Sequence, residues 1–148
     1  MVLKVPHAIQ REHDELHSEL ARACNDHGTV GKAAQRVERL VTPHFAKVQD
    51  FVLPAAGALQ ALSRGDFRAE MRDVLALAER LRVELPDLVA EHRMIDAALE
   101  MLVTASREED KVEFAELAMR FMMHMQMEEE ILYPAVMIAG DLLKYKLS

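Results

Sequence analysis

A histidine and a glutamate four residues apart on an apolar helical face are the groups of this chain best placed for chemistry. They are His124 and Glu128, in the stretch HMQMEEEILYP that runs from His124 to Pro134. Leu117 and Phe121 set a spacing of three or four that continues through His124 and Glu128 to Ile131 and Ala135, which is one face of a helix. The pattern therefore assigns an imidazole and a carboxylate to the core. An unpaired buried carboxylate costs on the order of several kcal/mol, so it takes a partner or becomes neutral. A metal ion is a partner that also uses the imidazole. Three further histidines lie on apolar stripes: His13 among Ile9, Leu16, Leu20 and Cys24, His44 among Val37, Val41, Val48 and Phe51, and His92 among Leu88, Ile95, Leu99 and Leu102. A single core histidine is commonly satisfied by one polar neighbour. Four gathered in one core without a ligand would leave many ring nitrogens in need of partners.

The stripes imply the elements that must carry them. Ala, Leu, Glu, Arg and Met dominate and sustained alternation is missing, so helices are expected throughout. The first helix should start near Pro6 and stop at Asn25-Asp26-His27-Gly28. The second should run from about Val30 to Leu53, kinked or restarted at Thr42-Pro43. An extra helical segment, capped by Asp66, precedes Pro86, which should bend it, and the third helix follows. The fourth should begin after Ser106, with Glu108 and Glu109 in its acidic first turn, and end near Tyr133-Pro134. Residues 135–148 form a tail helix. The chain also repeats itself: Glu12-His13 recurs 79 residues later as Glu91-His92, and His44 and Pro54 recur 80 residues later as His124 and Pro134. The expectation is a single domain, 1–148, with pseudo-repeats at about 7–54 and 86–134. It folds as an all-α, up-down-up-down four-helix bundle with all four histidines at one level.

Composition narrows the function classes. Eighteen basic against 25 acidic residues give a net charge of −7 with no basic cluster, which argues against nucleic acid. No apolar run has the length of a membrane span, and Met1 to Pro6 is too short for a signal peptide. The single Cys24 suits a reducing, cytoplasmic setting. No nucleophile–base pair or phosphate loop is visible, so turnover of an organic substrate is not expected.

With these residues in view, the sequence resembles the hemerythrin-like, or HHE cation-binding, family. The resemblance rests on Glu12-His13, His44-Phe45 to Pro54, Glu91-His92, and His124 through Glu128-Glu129 to Tyr133-Pro134, and it covers essentially the whole chain. It implies a four-helix bundle around non-haem iron, with binding or sensing of oxygen, nitric oxide or redox state. By position, His13, His44, His92 and His124 would be ligands, and Glu128, or adjacent Glu129, the carboxylate ligand.

Two positions depart from that pattern. The family carries a second carboxylate four residues after the histidine of the second helix, where this chain has Val48 followed by Gln49. Some members have another histidine where this chain has Leu88. Antiparallel geometry places Val48 and Leu88 at a similar depth, near Ile9 and Glu128. One iron ion held by some of the histidines and Glu128, a pair completed by Gln49, Glu129 or solvent, another divalent metal, and an empty site all remain open at this point. The rival reading is a degenerate metal-free bundle acting as an interaction or dimerisation module; a homodimer is compatible with either. A ferritin-like oxidase is excluded by the lack of Glu-x-x-His pairs. His17, four residues after His13, falls toward Leu40 and Arg120, at the depth of Asp96, and reads as part of a polar layer such as Asp96 with Arg120. His7 and His27 read as solvated, Cys24 as core, and the methionines of the fourth helix as pliable filler. Glu12 and Glu91 precede their histidines and point elsewhere on the helix, so neither is assigned to a ring nitrogen.

Overall fold

Two tight turns, one in each half of the chain, set the frame. The computed structural model describes residues 4–148; the reading of Met1 to Pro6 falls in part on residues 1–3, outside that range. Helix α1 (His7–Cys24) begins directly after Pro6 and stops at the Asn25–Gly28 cluster, as expected. Gly28 turns the chain with a φ of 83°, a conformation open to glycine at little steric cost. Helix α2 (Thr29–Lys47) follows. Short helices α3 (Leu53–Ala56) and α4 (Leu59–Ser63) then lead to α5 (Arg72–Glu108). A second tight turn joins α5 to α6 (Val112–Met127), and α7 (Tyr133–Lys146) ends the chain. The described residues contain no strand.

The second turn differs from its sequence reading. Helix α5 runs on to Glu108, Asp110 takes a φ of 57°, and the Lys111 amide closes the turn on the Ser106 carbonyl at 2.8 Å. Glu109 is therefore not in the first turn of α6. Its Oε1 accepts from the Thr29 amide at 2.9 Å and the Thr29 hydroxyl at 2.7 Å. Thr29 opens α2, where the preceding Gly28 has no side chain to cap with. Lys111 Nζ bridges Asp26 at 2.8 Å and Glu109 at 3.2 Å. Both turns thus lie side by side at one end of the molecule. Helices α1 and α5 run toward that end; α2 and α6 run away from it. Helix α1 packs on α2, α2 on α5, α5 on α6 and α6 on α1, which closes a four-helix bundle.

The expected segment before Pro86 and the helix after it are one continuous helix of 37 residues. Proline removes a ladder bond and crowds the carbonyl four residues back. Pro86 and Arg82 are both exposed, so water can satisfy that carbonyl. Pro43 is likewise exposed within an unbroken α2. Asp66 does not cap α5; it pairs with Arg68 at 2.9 Å, and a 3₁₀ turn (Ala69–Met71) leads into the helix.

The other two prolines have a larger effect. Immediately after Lys47 and Met127 the ladder widens into π-helical turns, Val48–Val52 and Glu128–Leu132. Each ends just before a helix carrying proline in its first turn, Pro54 or Pro134. A π turn accommodates one extra residue, which lets the chain pass the carbonyl that proline cannot bond. The extra residue advances the helical phase. Ile131, assigned to the inner stripe from its spacing, is 63% exposed, and Leu132, Tyr133 and Val136 face inward instead.

Two apolar clusters fill the interior. The turn end is packed by Leu20, Val37, Val41, Leu99, Leu102 and Phe121, among others. The far end, where α3, α7 and the first half of α5 converge, is packed around Phe51, Leu81, Leu88, Leu132 and Tyr133.

The cross-turn cap gives a pH prediction. Hydrogen bonds from Thr29 and then Lys111 hold the Glu109 carboxyl down at about 2, from an ordinary 4.5. A depressed folded-state pKa contributes stability that is complete above about pH 4.5 and lost as pH falls toward 2. Glu109→Gln should melt a few degrees below the parent chain at pH 7, with the gap closing between pH 4.5 and 2. A gap that does not change with pH, measured by thermal melts across that range, would contradict the ionised cap.

Candidate metal centre

Four helices each supply one imidazole to the layer between the apolar clusters. His13 comes from α1, His44 from α2, His92 from α5 and His124 from α6, and Glu128 is the first residue of the second π turn. None of the five is more than 2% exposed. They form two groups with metal-ligand spacing, His13–His124–Glu128 and His44–His92–Glu128, joined by the one carboxylate.

The two oxygens of Glu128 face different pairs. Oε2 lies 3.2 Å from His124 Nε2 and 3.6 Å from His13 Nε2. Oε1 lies 3.0 Å from His92 Nε2 and 3.6 Å from His44 Nε2, and accepts from the Tyr133 hydroxyl at 3.2 Å. Within the pairs, Nε2 of His13 and His124 are 2.7 Å apart, and Nε2 of His44 and His92 are 2.9 Å apart. Neighbouring ligands on one ion with bonds of about 2.1 Å stand roughly 3 to 3.4 Å apart. The Glu128–His92 and Glu128–His124 spacings match this, and the others, from 2.7 to 3.6 Å, lie within a few tenths of an ångström of it. The buried His/Glu groups can hold a metal ion.

The outward ring nitrogens explain how the inward ones are aimed. His44 Nδ1 meets Glu91 Oε1 at 2.9 Å, His92 Nδ1 meets Glu129 Oε1 at 3.1 Å, and His124 Nδ1 meets Glu12 Oε1. Burial pushes the Glu91 carboxyl up, but hydrogen bonds from Lys47 and His44 prevail and hold it below its ordinary value. Ionised Glu91 only accepts, so His44 Nδ1 carries the proton. By the same rule a neutral His44 and a neutral His92 turn bare Nε2 lone pairs toward each other. Two such lone pairs at 2.9 Å repel unless a proton or a metal cation lies with them.

The remaining electrostatics agree. Burial opposes the charge on Glu128, yet the imidazoles around it, His124 first and then His13, His44 and His92, hold its pKa well below the carboxylate range. Burial lowers the His92 and His124 pKa values, but Glu128 with Glu129, and Glu128 with Glu12, more than reverse this. Burial first, then Glu128, pushes the Tyr133 phenol far up, so its hydroxyl stays a donor to Glu128.

Of the residues singled out from sequence, the four histidines and Glu128 come together. Glu129 lies outside both groups, on His92 Nδ1. Gln49 donates to Gln10 at 3.1 Å instead of facing a metal position. His17 is exposed beside Phe45, its ring 5.8 Å away, and Arg120 pairs with Glu19, not Asp96. Val48 and Leu88 are both fully buried in the far apolar cluster, with Ile9 packed against it, so that end of the pocket is apolar as expected. The reading of Glu12 and Glu91 needs correction. They do point away from their own helix's inner line, and that direction carries each to a histidine of a neighbouring helix. The repeated Glu-His pair was the available signal. Tyr133 was missed as a contact because the π turn that swings it inward leaves no mark in simple periodicity.

No family model matches this chain, and comparison with curated proteins and with solved structures returns no match.

Glu128 is common to both groups, so its loss should be felt at both. Equilibrium dialysis against cobalt(II) or zinc(II) should show uptake by the parent chain and near-background uptake by Glu128→Ala, with exposed Glu130→Ala unchanged. Metal at a hundredfold excess over its Kd should stabilise the parent by about 2.7 kcal/mol and the Glu128 variant by far less. Equal uptake by both variants would remove Glu128 from the site.

Proposed function

We propose that this chain is a hemerythrin-like non-haem iron protein that binds or senses a diatomic ligand, oxygen or nitric oxide, or redox state. The observation that carries the reading is the pair of two-histidine groups sharing Glu128 in a buried layer. Two imidazoles and one carboxylate per position, with coordination sites left over, is a donor set suited to ferrous iron. Iron there would supply open positions for a small uncharged gas. The chain's own residues do the rest. Three outer carboxylates fix ring orientation and raise ligand basicity, Tyr133 holds one oxygen of Glu128, and apolar packing on both sides excludes water and charged molecules.

Charge supports two ions despite Val48. Two divalent ions bring four positive charges. Glu128 supplies one negative charge in contact, and Glu12 and Glu129 supply two more one ring away, while the third outer carboxylate, Glu91, is shared with Lys47. The family's missing carboxylate is thus offset in part from outside the ligand set. A metal-free bundle serving as a dimerisation module is the competing reading, favoured by apolar Val48 and Leu88. The single Cys24 supports a cytoplasmic placement, and no helix of the described residues is long and apolar enough to cross a membrane.

Protein purified without chelator should contain iron and absorb in the near ultraviolet and visible in air, with a spectral change on adding nitric oxide to the reduced form. Less than ~0.2 iron per chain, with no rise after ferrous reconstitution, leaves only the metal-free reading. Val48→Glu is a second check. The new carboxylate would sit buried, four residues after His44, and should lower the melting temperature of metal-free protein while strengthening iron retention. Unchanged iron retention would show that Val48 does not occupy a ligand position.

A further inference from the structure

The pseudo-repeat extends beyond the histidines, and it fails at one informative place. His13 corresponds to His92, His44 to His124, and Glu12 to Glu91, each at a separation of 79 or 80 residues. The π turns correspond too, each opening four residues after its histidine. Their first two residues are Glu128-Glu129 in the second half and Val48-Gln49 in the first. Glu12 and Glu91 make equivalent bonds, to His124 Nδ1 and His44 Nδ1. Glu129 bonds His92 Nδ1. The equivalent partner for His13 would be Gln49.

That bond is not made. His13 Nδ1 is buried with no hydrogen-bond partner. Gln49 lines the same α1–α2 groove as His13, but its amide N–H goes to Gln10. The ring is held instead by stacking on Phe45, with centroids 4.5 Å apart and planes 5° from parallel. Stacking fixes the plane of an imidazole but not which nitrogen carries the proton. His13 is therefore free to keep its proton on Nε2, directed at His124 Nε2 2.7 Å away. In that form the His13–His124 pair satisfies itself without a metal. The His44–His92 pair can do this only by taking up an extra proton, because both outer nitrogens are tied to carboxylates.

Resting on the metal reading above, we propose that the two positions are unequal and that Gln49 sets the inequality. His44–His92–Glu128 is the tight position and fills first. His13–His124–Glu128 is the weak one, because one of its imidazoles lacks an anionic acceptor. Removal of such an outer partner costs about 10–100-fold in metal affinity, which is the gap expected here.

The full chain, stripped with a chelator and titrated anaerobically with cobalt(II), tests this by visible absorption and calorimetry. The parent should bind in two steps, the second 10–100-fold weaker. Gln49→Glu should tighten the second step at least tenfold and leave the first nearly unchanged. Glu129→Gln should weaken the first step and merge the two. In the loaded Gln49→Glu chain, proton NMR should show one more slowly exchanging, cobalt-shifted imidazole N–H than in the loaded parent. Two equal steps in the parent, or a second step that does not respond to Gln49→Glu, overturns the inference while leaving the metal site standing. No cobalt binding by any of the chains overturns the metal reading and this inference together.

Discussion

A carboxylate without exposure, surrounded by four imidazoles, is the constraint to which the rest of the molecule answers. Glu128 belongs in such a place only if positive charge is delivered to it, by protons on the rings or by metal. Each ring must then arrive at the right depth from a different helix, which fixes the relative registers of all four. The apolar clusters on either side seal the layer. Their division into two is a direct result of placing a polar stratum across the middle of a bundle that would otherwise have one continuous core.

The π turns are the device that lets the second helix of each half serve two purposes. Up to the histidine, each helix keeps its α phase and packs against the turn-end cluster. Beyond it, the widened turn rotates the chain so that a different line of residues packs the far end. Tyr133 benefits most: it is turned inward behind Glu128, where its hydroxyl steadies the shared carboxylate. Pro54 and Pro134 mark the places where an α ladder could not have continued unaltered.

Much of this is legible in the residues alone, because helical spacing and turn chemistry are local. The stop at Asn25–Gly28 and the inward placement of His13, His44, His92, His124 and Glu128 all follow from composition and period. What is not legible depends on partners remote in the chain. Glu109 looks like an ordinary acidic first-turn residue until the other hairpin's Thr29 is brought beside it. Glu12 and Glu91 look misdirected until the neighbouring helix is in place. Ile131 looks buried because a constant period cannot register one inserted residue. Pro86 looks like a bend that divides two helical segments because its exposure, which lets one helix run through it, is a tertiary property. The helical period also gives no indication that Gln49 turns to Gln10 and leaves His13 without a carboxylate.

The outer carboxylates have a consequence for how the interior communicates with its surroundings. Glu12 is about half exposed and Glu129 about one-third exposed, at 51% and 36%, while the rings they touch are sealed. Each imidazole is therefore a conduit of a few ångströms joining the solvent boundary to the innermost charge. A cation or basic neighbour settling beside Glu12 draws on the same negative charge that steadies His124. The centre is closed to bulk water, yet its electrical state is adjustable from the rim, without any helix having to move.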